Sequence, residues 1–172
     1  IHGRGTFVTP RKTIDQSLTE SLIAFSEDLL LQGIQFETHV LQQAVVQPET
    51  RIASLLGLAP TEDVFFLERV RRVAESPLSY LKNYVTHKHS RGIERVDFAH
   101  HRLFETLEGI YNLPLAWGHR TFQAQVADEA LSQFLAIDVG APVLYMNQIT
   151  YLRDDKPIEV SDVWFRGDRL GL

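Results

Sequence analysis

The strongest constraint in this sequence is a repetition. Shifted by 79 places, Ile52 falls on Leu131, Leu55 on Phe134 and Leu58 on Ile137. The same shift puts Val64 on Val143, Phe66 on Tyr145 and Val70 on Ile149, and one inserted residue later Pro77-Leu78 falls on Pro157-Ile158. Each copy reads strand, short helix, strand, hairpin, strand. A unit that recurs in this way predicts two similar halves that share one largely antiparallel β-sheet with flanking helices, an α+β architecture.

Local signals fill in the elements. Leu18, Leu22, Phe25 and Leu29 recur at helical spacing and predict an amphipathic helix ending near Gly33. Residues 36–47 read as a long strand. Pro48 opens a short helix with Ile52, Leu55 and Leu56 inward and Gly57 as its stop. VFFLERVRRV (64–73) and PLSYLKNYVTH (77–87) read as paired strands around AES. RLFETLEGIY (102–111) reads as a helix, 116–127 as a strand, and Asp128 as the N-cap of a further helix. VLYMNQITYL (143–152) and PIEVSDVWF (157–165) form the second strand pair, around RDDK. The polar stretch 9–17 reads as a linker.

A chain of 172 residues fits one domain and is long enough to bury a core without staples. It has no cysteine, which excludes disulfides and thiolate metal sites and suits a reducing cytoplasm. No apolar run approaches the roughly 20 residues of a membrane span. A net charge of −5 argues against this segment being a nucleic-acid clamp.

Side chains two apart on a strand share a face, so Arg69 and Arg71 point the same way, in a row with Phe65 and Leu67. Arginine offers a planar fork of donors that suits a carboxylate or a phosphate, while the alternative is a solvent-facing row paired with glutamates. The repeat maps these arginines onto Gln148 and Thr150, so the cationic pair belongs to one half only, as an asymmetric ligand pocket requires. Glu159, in a row with Ser161, Val163 and Phe165, either meets a polar group of a ligand or pairs with Arg69 or Arg71. His87, His89, His100 and His101 bracket SRGIERVD, which reads as solvated, and no H-E-x-x-H accompanies them; the expectation is no metal. No P-loop, dinucleotide fingerprint or G-x-S-x-G elbow is present, so no cofactor is expected. Trp117 and Trp164 read as core or pocket wall.

Taken together these segments resemble a known family. GRGTFV (3–8) resembles the end of the wing in winged helix-turn-helix repressors of the GntR group. The rest resembles the effector-binding module of that group's HutC branch, the UTRA domain, which shares the chorismate-lyase fold. The matching pieces include LLLQG (29–33), L-x-R-V-R (67–71), SPLSYLKNYV (76–85), RLFETLEGIY (102–111), GAPVLYMNQITY (140–151), PIEVSD (157–162) and RGDRL (166–170). The resemblance divides the chain into a wing remnant plus linker (1–17) and a UTRA domain (18–172). It implies a cytoplasmic homodimeric regulator rather than an enzyme. In such a regulator a small anionic metabolite, an organic acid or a phosphate compound, alters the grip of the winged helices on operator DNA.

The resemblance also implies site residues. Arg69 and Arg71 correspond to arginines that hold an anionic group, Glu159 to an acid that meets a polar part of the ligand, and Phe165 to a position where tyrosine is common. The sequence departs from the pattern at Leu81, where an acid is often found, and at Arg102-Leu103-Phe104, where S-L-Y is common. Arg102 and Phe104 are therefore expected to shift the preference from a sugar phosphate toward an organic acid. Two alternatives share the fold: a chorismate-lyase-like enzyme, for which Arg71 and Glu159 fall at the arginine and the acid, and a dimerisation module without ligand.

Overall fold

The computed structural model describes residues 14–15 and 33–171. The expected wing remnant, most of the linker and the helix expected from Leu18 lie outside the described residues. The order of elements is β1 (Ile14–Asp15), β2 (Glu37–Val46), α1 (Thr50–Leu56), β3 (Val64–Val73), β4 (Ser76–Thr86), α2 (Leu103–Gly109), β5 (Leu115–Val126), α3 (Glu129–Leu135), β6 (Pro142–Leu152), β7 (Pro157–Arg166) and β8 (Leu170–Gly171). β1 and β8 make a two-residue parallel pair, Ile14 beside Leu170. The six long strands form one antiparallel sheet in the order β2-β3-β4-β7-β6-β5.

This order is the sequence repeat in three dimensions. The two halves, β2-α1-β3-β4 and β5-α3-β6-β7, meet where β4 pairs with β7, with Lys82 opposite Asp162. The correspondence extends to irregularities. Register slips between Arg71 and Arg72 in one half and between Thr150 and Tyr151 in the other. α1 ends on Gly57 and α3 on Ala136, both left-handed, at φ 61° and 50°. These positions are again 79 apart (136 − 57). The two hairpins differ in their turns: Ala74 and Glu75 both take positive φ in the tight first turn, whereas only Asp155 does so in the longer second one.

The strand pattern follows from what covers each face. α1 lays Ile52 and Leu56 against Val64, Ile149 and Val160. α3 lays Leu131 and Leu135 against Val70, Tyr80 and Val143 on the same face. Asp128 caps α3, accepting from the Leu131 N–H at 2.8 Å. The opposite face carries α2, whose Leu103, Phe104 and Leu107 pack with Phe65, Leu67, Val85 and Ile158. The central strands are covered on both sides, which explains why β3, β4 and β7 read as near-continuous apolar runs rather than clean alternation.

SRGIERVD is not the solvated loop its polar letters predict. It forms a short 3-10 turn, Ile93–Arg95, that plants Ile93 in the α2 core, fully buried. Gln43 on β2 fixes the turn by donating to the carbonyls of Glu94 and Val96 at 2.9 and 3.2 Å.

Candidate functional site

On the α2 face, the centre of the sheet is polar. Arg69 and Arg71 on β3, Asn83 on β4, Ser161 on β7 and Gln148 on β6 line a cavity of ≈ 40 Å³, room for roughly three waters. Leu81, Leu103, Phe104, Met146 and Val163 complete the wall. Strand pairing assembles this set from four strands, because Asn83 lies opposite Ser161, Leu81 opposite both Arg69 and Val163, and Ser161 opposite Gln148.

The polar groups form one chain of hydrogen bonds. Arg69 Nη2 donates to Asn83 Oδ1 at 2.6 Å, and Asn83 Nδ2 donates to Glu159 Oε1 and Ser161 Oγ, both at 2.8 Å. The Ser161 hydroxyl also donates to Glu159. Thr150 Oγ1 donates to Glu159 Oε2 at 2.8 Å and receives from Gln148 Nε2 at 3.0 Å, and Arg120 Nε on β5 donates to Gln148 Oε1 at 2.5 Å. Glu159 is fully buried, and its link to Arg69 runs through the Asn83 amide.

Electrostatics set this centre apart from an ordinary core. Arg69 and Arg71 are 2% and 4% exposed, where an arginine normally keeps its head in water. Burial pulls Arg69 down to about 10 despite the attraction of Glu159. Arg71 is held well below its usual range, first by burial and then by repulsion from Arg69 and Arg102. Its guanidinium lies over the Phe36 ring, 5.2 Å from the centroid. Burial pushes the Glu159 carboxyl up, against the pull of its three hydrogen-bond donors and of Arg69. Among the described residues, Arg69 Nε and Ser79 Oγ are buried with no hydrogen-bond partner.

The structure brings Arg69, Arg71 and Phe104 of the expected set onto the cavity wall. Glu159 stands behind the wall, holding Asn83 and Ser161. Phe165 is fully buried beside Leu81, Met146 and Val163, so it supports the wall without lining it. Arg102 sits at the start of α2, outside the lining, with its Nε 3.0 Å from Glu105. Of the tryptophans, Trp117 departs from the expectation, 40% exposed and stacked on Tyr151, whereas the partly buried Trp164 packs against the α3 core beside Tyr80 and Tyr145.

Asn83 is the residue that the sequence reading missed. Its only signal was the two-residue spacing from Leu81, which places both on one face of β4. The histidine pairs take local partners instead of converging: His87 meets Glu94 at 3.3 Å and His100 meets Asp97 at 2.7 Å. No group of three or more His, Cys, Asp or Glu is placed to hold a metal ion among the described residues. No helix among them is long and apolar enough to cross a membrane.

Comparison with known proteins agrees with this fold. The UTRA domain family matches residues 31–170. The HTH-type transcriptional repressor NagR of Bacillus subtilis is 24% identical over 169 residues, 98% of this chain and 68% of NagR. The HTH-type transcriptional regulator GgaR of Escherichia coli K12 is 26% identical over 96% of this chain, which spans 64% of GgaR. Among solved structures, the effector domain of PhnF from Mycobacterium smegmatis aligns with a TM-score of 0.83 at 20% identity, covering 92% of this chain and 96% of that one. The C-terminal domain of the histidine utilization repressor from Pseudomonas syringae aligns at 0.75, also at 20% identity, covering 80% and 96%. At such identities the structural matches establish the fold, and the curated homologues are transcriptional regulators, not enzymes. The chain belongs to the UTRA domain family, the ligand-sensing module of GntR-type transcriptional regulators of the HutC branch.

Proposed function

We propose that the sensed ligand is a small anionic metabolite, an organic acid rather than a sugar phosphate, bound against Arg69 and Arg71 in the cavity under α2. The observation that carries this reading is Arg69. It is a buried guanidinium whose side-chain hydrogen bond goes to a neutral amide oxygen, whose Nε has no partner among the described residues, and which lies beside a second buried guanidinium. Two cations in one low-dielectric pocket repel each other, and an anion bound there converts that repulsion into charge-assisted hydrogen bonds. Leu81, Leu103, Phe104, Met146 and Val163 make half of the lining apolar, which favours a ligand with an apolar remainder, while Asn83, Gln148 and Ser161 are left for its polar groups.

In a homodimer attached to DNA-binding winged helices, two states of the dimer differ in their fit to operator DNA, and the ligand shifts the balance by its differential affinity. The operator contact belongs to the part of the regulator beyond this chain, which spans 68% of NagR.

The test is a thermal-melt panel of small carboxylates, phosphates and neutral sugars on this chain. A ligand at about 100 times its Kd adds roughly 2.7 kcal/mol, enough to raise Tm visibly. Stabilisation by carboxylates that disappears in Arg69→Met is the expected result. Stabilisation by neutral sugars alone, kept in Arg69→Met, would overturn the reading.

A further inference from the structure

The hydrogen-bond chain beside the cavity has a fixed polarity, because a guanidinium stands at each end and guanidiniums only donate. Arg69 donates to Asn83 and so turns the oxygen of that amide toward itself, while the Asn83 nitrogen spends both its hydrogens, on Glu159 and on Ser161. Ser161 gives its own hydrogen to Glu159, so toward the cavity its oxygen can only accept. At the other end, Arg120 donates to Gln148 and turns the oxygen of that amide toward β5. Gln148 gives one hydrogen to the Thr150 hydroxyl, whose own hydrogen goes to Glu159. A primary amide carries two, so Gln148 keeps one to give. Gln148 and Ser161 are opposite residues of β6 and β7, 3% and 6% exposed, and both line the cavity. One spare donor and one spare acceptor thus border the same space.

We infer that Gln148 and Ser161 form a subsite for a single hydroxyl, and that the sensed ligand is a short hydroxy acid whose carboxylate lies on Arg69. This rests on the anion reading above and names its ligand class. A hydroxyl accepts and donates through one oxygen, so it answers both residues at once. A second carboxylate only accepts: it would satisfy Gln148 but set oxygen against oxygen at Ser161. A methyl group would leave a buried donor and a buried acceptor unpaired, which costs more than a made bond gains. A polyol finds no second pair of this kind, because Asn83 has no hydrogen left and the rest of the uncharged wall is apolar. Asn83 alone bridges Arg69 to Ser161, so a few carbons separate the carboxylate of the ligand from its hydroxyl, and they lie over Leu81, Val163 and Met146. Arg120 does not line the cavity; it is a positioning residue that decides which end of the Gln148 amide meets the ligand.

Titration calorimetry of this chain with butyrate, β-hydroxybutyrate, γ-hydroxybutyrate and succinate tests the subsite, since the probes differ chiefly in the group they bring to it. The expected result is that one of the two hydroxybutyrates binds roughly tenfold more tightly than butyrate, while succinate gains nothing over butyrate. In Gln148→Met and in Arg120→Met that preference for the hydroxy acid is expected to fall roughly tenfold. Arg120→Lys, which still donates, is expected to keep part of it, which a merely structural role for Arg120 would not produce. If Gln148→Met does not fold, the comparison of probes on the wild-type protein decides alone. Equal binding of butyrate and both hydroxybutyrates, tightest binding of succinate, or a hydroxyl preference that survives Gln148→Met would overturn the subsite; if binding still disappears in Arg69→Met, the anion reading stands. Failure of all the probes to bind, or equal binding to Arg69→Met, would overturn both.

Discussion

Asn83 holds the site together at the level of single residues. One amide accepts from Arg69 and donates to Glu159 and Ser161, so a cation and a carboxyl share a centre without touching. The side-chain partner of the guanidinium is an amide rather than a carboxylate, as the proposed anion site requires. Arg69 is thus costly to the empty protein, since burying a charge is unfavourable unless it is paired. Arg69→Met is expected to leave the unfolding free energy at or above the wild-type value, by about 1 kcal/mol or less, while anion binding is lost. A fall of several kcal/mol in a chemical melt would mean that Arg69 is structural.

Glu159 gives a second residue-scale expectation. Burial raises its pKa above the ordinary 4.5, so the folded state holds the proton more tightly than the unfolded chain. The contribution of this one group to stability is then fully present below pH 4.5 and is lost as pH rises through the raised folded value. Glu159→Gln removes that decline, and parallel urea melts at several pH values check it. An unchanged pH slope in the variant would show that Glu159 titrates normally.

Individual elements were largely legible, and particular residues show why. Strand pairs at 64–86 and 143–165 were readable because tight turns interrupt long apolar runs, and Asp128 was readable because an acid before a helix accepts from its free N–H groups. Ile93 was not, since a lone apolar residue among charges carries no periodicity and is buried only because a 3-10 turn and Gln43 aim it inward. Asn83 was invisible as a site residue for another reason: only the β4–β7 pairing, 78 residues apart in sequence for Asn83 and Ser161, brings it to its partners.

The repeat also yields an element-scale prediction. Gly57 and Ala136 end equivalent helices in the same left-handed conformation. A Cβ in that conformation costs roughly 1–2 kcal/mol, and glycine avoids the cost. Ala136→Gly is expected to stabilise the chain by about 1 kcal/mol, and Gly57→Ala, where space is open but φ is positive, to destabilise it by a similar amount. Thermal melts of the two variants moving in the same direction would contradict the equivalence of the halves.

For the molecule as a whole, two copies of one unit build a sheet whose centre lies on the seam between them. The structure fills that seam unequally, with Arg69 and Arg71 on one side and Gln148 and Thr150 on the other, so a symmetric scaffold carries an asymmetric pocket. The same seam is tied to the β5 edge through Arg120.

The central claim is that the paired arginines hold an anion. Calorimetric titration of the stabilising carboxylate into wild-type protein and into Arg69→Ala tests it most directly. Loss of charge-assisted contacts is expected to weaken binding by about 1.5–3 kcal/mol, roughly a 10- to 150-fold rise in Kd. Equal affinity in the two proteins, with the Arg69→Ala fold intact, would contradict it.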